Sequence, residues 1–179
     1  MKIIFLDIDG VLNTGRYRKI LKKTEHMSSD DSQFFFDPIT MRNLSELVSK
    51  NDAKIVISST WRYDRDKKDD IYWNMLMGNL RQFNLEDKVI GVTPDLREQY
   101  NTIRCRGYEI KEWLDTTKEI IDGFVIIDDD DNMTPFMDKL AYCDEFYGLN
   151  DETKSIAHKI LNNIEVLDEE NPLIQKEIL

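Results

Sequence analysis

Asp7 and Asp9 stand two residues apart at the end of an apolar run, residues 3–6, and Gly10 follows them. A short apolar run closed by a turn signal predicts a strand buried on both faces of a parallel sheet. Ligands of open parallel sheets sit beyond the carboxyl ends of the strands, so both carboxylates fall where a site would be. Gly10 lets the backbone turn sharply there. Grouped carboxylates need a counter-charge, and oxygen donors suit a hard cation such as Mg2+. The plainer alternative is an acidic turn.

Two more polar clusters follow apolar runs. Ser58, Ser59 and Thr60 come after the β-branched stretch 53–57. Hydroxyls there can hold a phosphoryl oxygen without adding negative charge, or can cap the next helix. Asp128, Asp129, Asp130 and Asp131 come after 123–127. Adjacent carboxylates repel one another unless a cation or solvent compensates. Their spacing lacks the central Gly of an EF-hand loop, which argues against that kind of calcium site.

The rest of the chain supplies elements to position these clusters. Asp37-Pro38 predicts a helix start with Asp37 as N-cap. Ile39, Leu44, Leu47 and Val48 form its apolar stripe, and it ends near Asn51. Residues 71–83 have helical spacing through Tyr72, Met75, Leu76, Leu80 and Phe83, and 89–92 is a third short strand. Residues 24–33 and 95–105 read as loops, and the triplet Phe34, Phe35 and Phe36 packs the first of them onto the body. A helix begins at Gly107, with Ile110, Trp113 and Leu114 on one side. An edge strand is expected at 143–147, then a helix at 151–163 with Ile156, Ile160, Leu161 and Ile164 inward. Strands alternating with helical crossovers predict an α/β fold, a three-layer, Rossmann-like, doubly wound parallel sheet of about five strands. All three polar clusters then converge on one side of it.

Composition narrows the class. The 179 residues are 41% hydrophobic, which suits one globular domain. We expect the domain to span 1–165, with 166–179 an acidic tail. No apolar stretch approaches the roughly 18 residues of a membrane span, and no signal-peptide pattern is present. Cys105 and Cys143 form no metal-type pair and read as free thiols, so a reducing, cytoplasmic setting is expected. The formal net charge of -11 argues against a broad nucleic-acid footprint. The dense basic cluster, Arg16, Arg18, Lys19, Lys22 and Lys23, is either a solvated helix face or a lip that draws in a phosphorylated substrate.

The chemistry such parts could do is phosphoryl transfer. One carboxylate can attack phosphorus and form an aspartyl-phosphate. A second, two residues on, can protonate the leaving oxygen and later deprotonate water. A divalent cation offsets the repulsion between nucleophile and phosphate, and a basic side chain and a hydroxyl hold the transferring group.

DIDGV at 7–11, SST at 58–60 and IIDDDD at 126–131 resemble the first, second and fourth motifs of the haloacid dehalogenase-like (HAD) superfamily, most of whose members are Mg2+-dependent phosphatases. The resemblance implies Asp7 as nucleophile and metal ligand, and Asp9 as general acid/base that adds its main-chain carbonyl to the metal. It implies Ser58 or Ser59, together with Gly10, as phosphate-binding residues, and Asp128 or Asp129 as the remaining metal ligand. Its third motif is a basic residue, for which Arg106 is the first choice and Lys88 and Arg104 are alternatives. Superfamily dehalogenases lack the second Asp, so Asp9 favours a phosphatase. DIDGVLN, SSTWR, RGYEIKEWL and IIDDD together also look like the small HAD domains of RNA-repair proteins, in which Trp61-Arg62 and Arg106-Gly107 belong to the pattern. That implies a small phosphorylated substrate, with a nucleotide or a nucleic-acid end as the class it points to. Residues 14–36 are too few for a full cap domain, so an open site is expected. The rival readings are a phosphate-accepting receiver-like domain and an inactive binding module. A receiver's acceptor Asp lies on an interior strand, whereas the DxD here follows the first.

Overall fold

The computed structural model describes residues 1–32, 34–63, 65, 70–100 and 106–167. Among these residues five strands form one all-parallel sheet: β1 (Lys2–Leu6), β2 (Lys54–Ile57), β3 (Val89–Val92), β4 (Gly123–Asp128) and β5 (Leu140–Tyr142). Their order is β3-β2-β1-β4-β5, so the chain winds outward on one side of β1 and then on the other. The topological switch falls between β1 and β4, the place where such sheets bind ligands. β1 is fully buried from Ile3 to Leu6, as its unbroken apolar run predicts for a strand covered on both faces.

Among the described residues six helices lie between strands, α1 (Gly15–Thr24), α2 (Ser29–Ser32), α3 (Pro38–Asn51), α4 (Ile71–Gln82), α5 (Arg97–Tyr100) and α6 (Arg106–Thr116), and α7 (Asp151–Leu161) follows β5. Alternate residues of β1 face two separate cores. Ile4 and Leu6 pack with Leu44 and Leu47 of α3, Leu76 and Leu80 of α4, and Ile156 and Leu161 of α7. Ile3 and Phe5 pack with Ile110 of α6, while Trp113 and Leu114 cover that cluster.

Asp37 caps α3 as its sequence predicts, accepting from Ile39 N–H. It also joins α3 to the DxD turn. Its main-chain N–H donates to Leu12 O at 2.8 Å, and its carboxylate takes Thr14 Oγ1 at 2.9 Å and Arg16 at 2.5 Å.

Several local expectations shift. The edge strand is Leu140–Tyr142 rather than 143–147, because Leu140 and Ala141 are the apolar pair that packs beside Ile126 and Ile127. Cys143 N–H still donates to Asp128 O at 2.8 Å, after which the chain turns away. Ile39 is exposed in the first turn of α3, and Ile164 is exposed beyond the end of α7. The expected loops at 24–33 and 95–105 contain the single-turn helices α2 and α5. Of the phenylalanine triplet, Phe36 is buried, Phe34 packs against the core and Phe35 is exposed. No helix among the described residues is long and apolar enough to cross a membrane. Cys143 is a buried free thiol, while Cys105 and Arg104 lie outside the described residues, as does the tail from 168.

Candidate active site at the β1 and β4 ends

Asp7 follows β1 directly, and its N–H donates to Ile127 O at 3.0 Å, which locks it beside the end of β4. Asp128 is the last residue of β4 and Asp129 the next. Oxygens of Asp7, Asp128 and Asp129 lie within 4.8 Å of one another. Both members of the 128/129 alternative therefore belong to the cluster. Asp130 instead donates its N–H to Asp128 Oδ1, and Asp131 is exposed.

Arg106 sits among these carboxylates. Its Nη1 is 2.8 Å from Asp7 Oδ1 and 2.5 Å from Asp128 Oδ2. It is the first residue of α6, and Gly107 explains how α6 comes so close. A Cβ on Gly107 would lie 2.1 Å from Thr134 O and 2.6 Å from Met133 O, so only glycine allows this approach to the segment after β4. Lys88 ends a short turn before β3, at the amino end of the parallel sheet. It is therefore on the side away from Asp7 and is not the basic partner.

The electrostatics favour a cation. Burial, opposed by Arg106, raises the pKa of Asp7. Burial and then the charge of Asp7 push Asp128 up to about 8 and Asp129 up to about 6. Burial works against the charge of Arg106, but Asp7 and Asp128 outweigh it and raise its pKa. One guanidinium thus faces three carboxylates, and the excess negative charge is what a hard, oxygen-liganded cation would relieve.

Gly10 takes φ +70°, and a Cβ there would lie 2.1 Å from Asp129 Oδ2. The turn thus needs glycine for both conformation and space. Its N–H donates to Asn13 Oδ1 at 3.1 Å, so that amide is engaged within the turn. The two serines separate. Ser59 makes a side-chain hydrogen bond to Asp7, whereas Ser58 Oγ is buried with no partner among the described residues.

Asp9 is not in the three-carboxylate group. Its Oδ1 accepts from Asn13 Nδ2 at 2.7 Å and its Oδ2 from Trp61 Nε1 at 2.9 Å. In the basic cluster, Arg16 pairs with Asp37 and Lys19 stands 4.6 Å over the Phe146 ring, while Lys22 and Lys23 are exposed.

Sequence reading missed a buried brace behind the site. Arg62 bonds Glu109 at 2.5 Å, with both side chains almost fully buried. It also donates to Ser59 O at 2.6 Å, Thr93 O at 3.0 Å and Pro94 O at 3.2 Å. Glu109 lies one turn after Arg106 on α6, so the brace links the serine loop to the helix that presents Arg106. The available signal was weak: a Glu on the apolar side of a helix, adjacent to Ile110.

A family model for the HAD domain in Swiss Army Knife RNA repair proteins matches residues 3–153. The chain belongs to this family. The match covers all five strands, β1 from Ile3 onward, and every residue of the candidate site. It also weighs against the receiver-like reading, which strand position does not, because β1 is first in sequence but central in the sheet. Comparisons with curated proteins and with solved structures return no match.

Proposed function

We propose that this HAD domain is a Mg2+-dependent phosphatase that hydrolyses a phosphomonoester through an aspartyl-phosphate, and that residues 1–165 hold the activity. The observation that carries the reading is Arg106 bridging Asp7 and Asp128 beside Asp129. Asp7, Asp128 and Asp129, with the main-chain carbonyl of Asp9, would hold the cation. When bound, it neutralises carboxylate charge and polarises the phosphoryl oxygens.

The chain's own residues do the rest. An Asp7 oxygen attacks phosphorus, and the bond to the leaving oxygen breaks. Asp9 gives that oxygen a proton. Asp9 then takes a proton from water, which attacks the same phosphorus, releases orthophosphate and restores Asp7. Arg106 opposes the burial that disfavours the Asp7 carboxylate and offsets charge on the phosphoryl group, and Ser59, bonded to Asp7, holds one of its oxygens. The family description favours a nucleotide or a phosphate-ended nucleic acid over a sugar phosphate.

The test is Mg2+-dependent hydrolysis of p-nitrophenyl phosphate by the wild type and Asp7→Asn, followed by nucleotides, sugar phosphates and phosphate-ended oligonucleotides. Loss of turnover in the variant, about 100-fold or more, is expected. Absence of Asp7-dependent turnover on the whole panel would overturn the proposal.

A further inference from the structure

Asp9 is held differently from the other site carboxylates. Each of its oxygens accepts from a side chain outside the Arg106 and metal-ligand group: Asn13 Nδ2 at 2.7 Å and Trp61 Nε1 at 2.9 Å. Both donors are themselves fixed. Asn13 is fully buried, and its Oδ1 takes the Gly10 N–H at 3.1 Å, so its amide has one orientation that serves both bonds. The Trp61 indole is 4% exposed. It is wedged among Phe36 (centroids 5.6 Å apart), Tyr72 (5.1 Å) and Phe34 (6.1 Å). A carboxylate on a surface turn would ordinarily sample several rotamers; this one is gripped on both oxygens by two immobile N–H groups.

We propose that Trp61 and Asn13 are positioning residues that aim Asp9 at the leaving-group oxygen. This inference rests on the reading of Asp9 as the proton donor. In that step the O–H bond of the Asp9 carboxyl breaks and the proton goes to the leaving oxygen. That oxygen keeps the electron pair of the breaking P–O bond. The indole and the carboxamide lose no proton themselves, and their N–H groups face the carboxylate that the transfer leaves behind. The aromatic cluster then has a second consequence. The segment 34–36 and helix α4 set the position of the proton donor through the Trp61 ring, although neither supplies a residue to the carboxylate cluster.

The prediction is a dependence on leaving group. p-Nitrophenolate departs without a proton, whereas the alkoxide of glycerol phosphate or of a nucleoside monophosphate needs one. The ratio kcat/KM reports events up to phosphoryl transfer onto Asp7, so the later work of Asp9 on water drops out of it. Trp61→Phe keeps a packed ring and removes the N–H. Asn13→Asp keeps an acceptor for Gly10 and puts a carboxylate oxygen where the donor to Asp9 stood, so the lost bond is joined by like-charge repulsion. Asp9→Asn sets the scale of the effect.

Each variant is assayed on p-nitrophenyl phosphate and on the best alkyl phosphate of the wild type, with folding checked by circular dichroism. Trp61→Phe and Asn13→Asp should lose at least about tenfold more kcat/KM on the alkyl phosphate than on p-nitrophenyl phosphate, in the direction shown by Asp9→Asn. If one variant fails to fold, the other decides. Equal losses on both substrates, or none, overturn the positioning role while leaving the phosphatase reading intact. A wild type without Asp7-dependent turnover overturns that reading itself, and Asp9→Asn without the split removes Asp9 as the donor.

Discussion

Glu109→Ala tests the buried brace, and its cost follows from the geometry. Glu109 and Arg62 are 3% and 2% exposed and 2.5 Å apart. Removing one partner of a buried pair leaves an uncompensated charge, which costs about 3–5 kcal/mol. Arg62 would keep three carbonyl acceptors, at Ser59, Thr93 and Pro94, while Leu96 N–H would lose its 3.2 Å bond to Glu109. The partial compensation places the expected loss near the low end, about 3 kcal/mol. For a chain of this size each kcal/mol moves Tm by roughly 2–4 °C, so a fall of about 6–12 °C is expected. Thermal melts and urea midpoints at unchanged m-value measure it. The double variant Arg62→Met with Glu109→Leu removes both charges together with the donors to the Ser59, Thr93 and Pro94 carbonyls, so it should lose less stability than the sum of the two single variants. A single-variant loss below about 1 kcal/mol, the range of a surface pair, would refute the reasoning. So would a double variant that loses the sum of the two singles.

Two further outcomes concern the cation site. Gly10→Ala forces a left-handed residue, costing about 1–2 kcal/mol, and drives its Cβ to 2.1 Å from Asp129 Oδ2. Melts with and without Mg2+ should show both a lower Tm and roughly 10-fold weaker Mg2+ affinity; wild-type Mg2+ affinity would contradict the contact. Asp128 and Asp129 are held at about 8 and about 6 when no cation is bound, above their unfolded values. The native state therefore holds extra protons between about pH 4 and about pH 8, and these two groups make stability fall as pH rises through that window. A bound cation displaces those protons, so Mg2+ should raise Tm more at about pH 8 than at about pH 5.5. A Mg2+ shift independent of pH, measured in melts against EDTA, would be inconsistent with this.

What the sequence determined by itself is local or periodic. The unbroken run at 3–6 and the β-branched stretch 53–57 read as buried strands, and Asp37-Pro38 wrote its own helix cap. Because each polar cluster directly follows a strand, a parallel sheet brings Asp7, Ser59 and Asp128 to one side without further information. The edge strand was misplaced by three residues because Leu140 and Ala141 become strand only by pairing with β4, a contact their own pattern does not encode.

Tertiary structure decided the partnerships. Arg106, unlike Lys88, lies at the end of the sheet that holds Asp7, and Ser59, unlike Ser58, has the hydroxyl that bonds Asp7. The bonds from Trp61 to Asp9 and from Arg62 to Glu109 join residues 52 and 47 apart in sequence. Strand register and the approach of α6 at Gly107 fix those distances, and neither is a property of any short stretch. The carboxylates could therefore be read from their positions along the chain, but their charge balance and the grip on Asp9 arise only when the sheet is assembled.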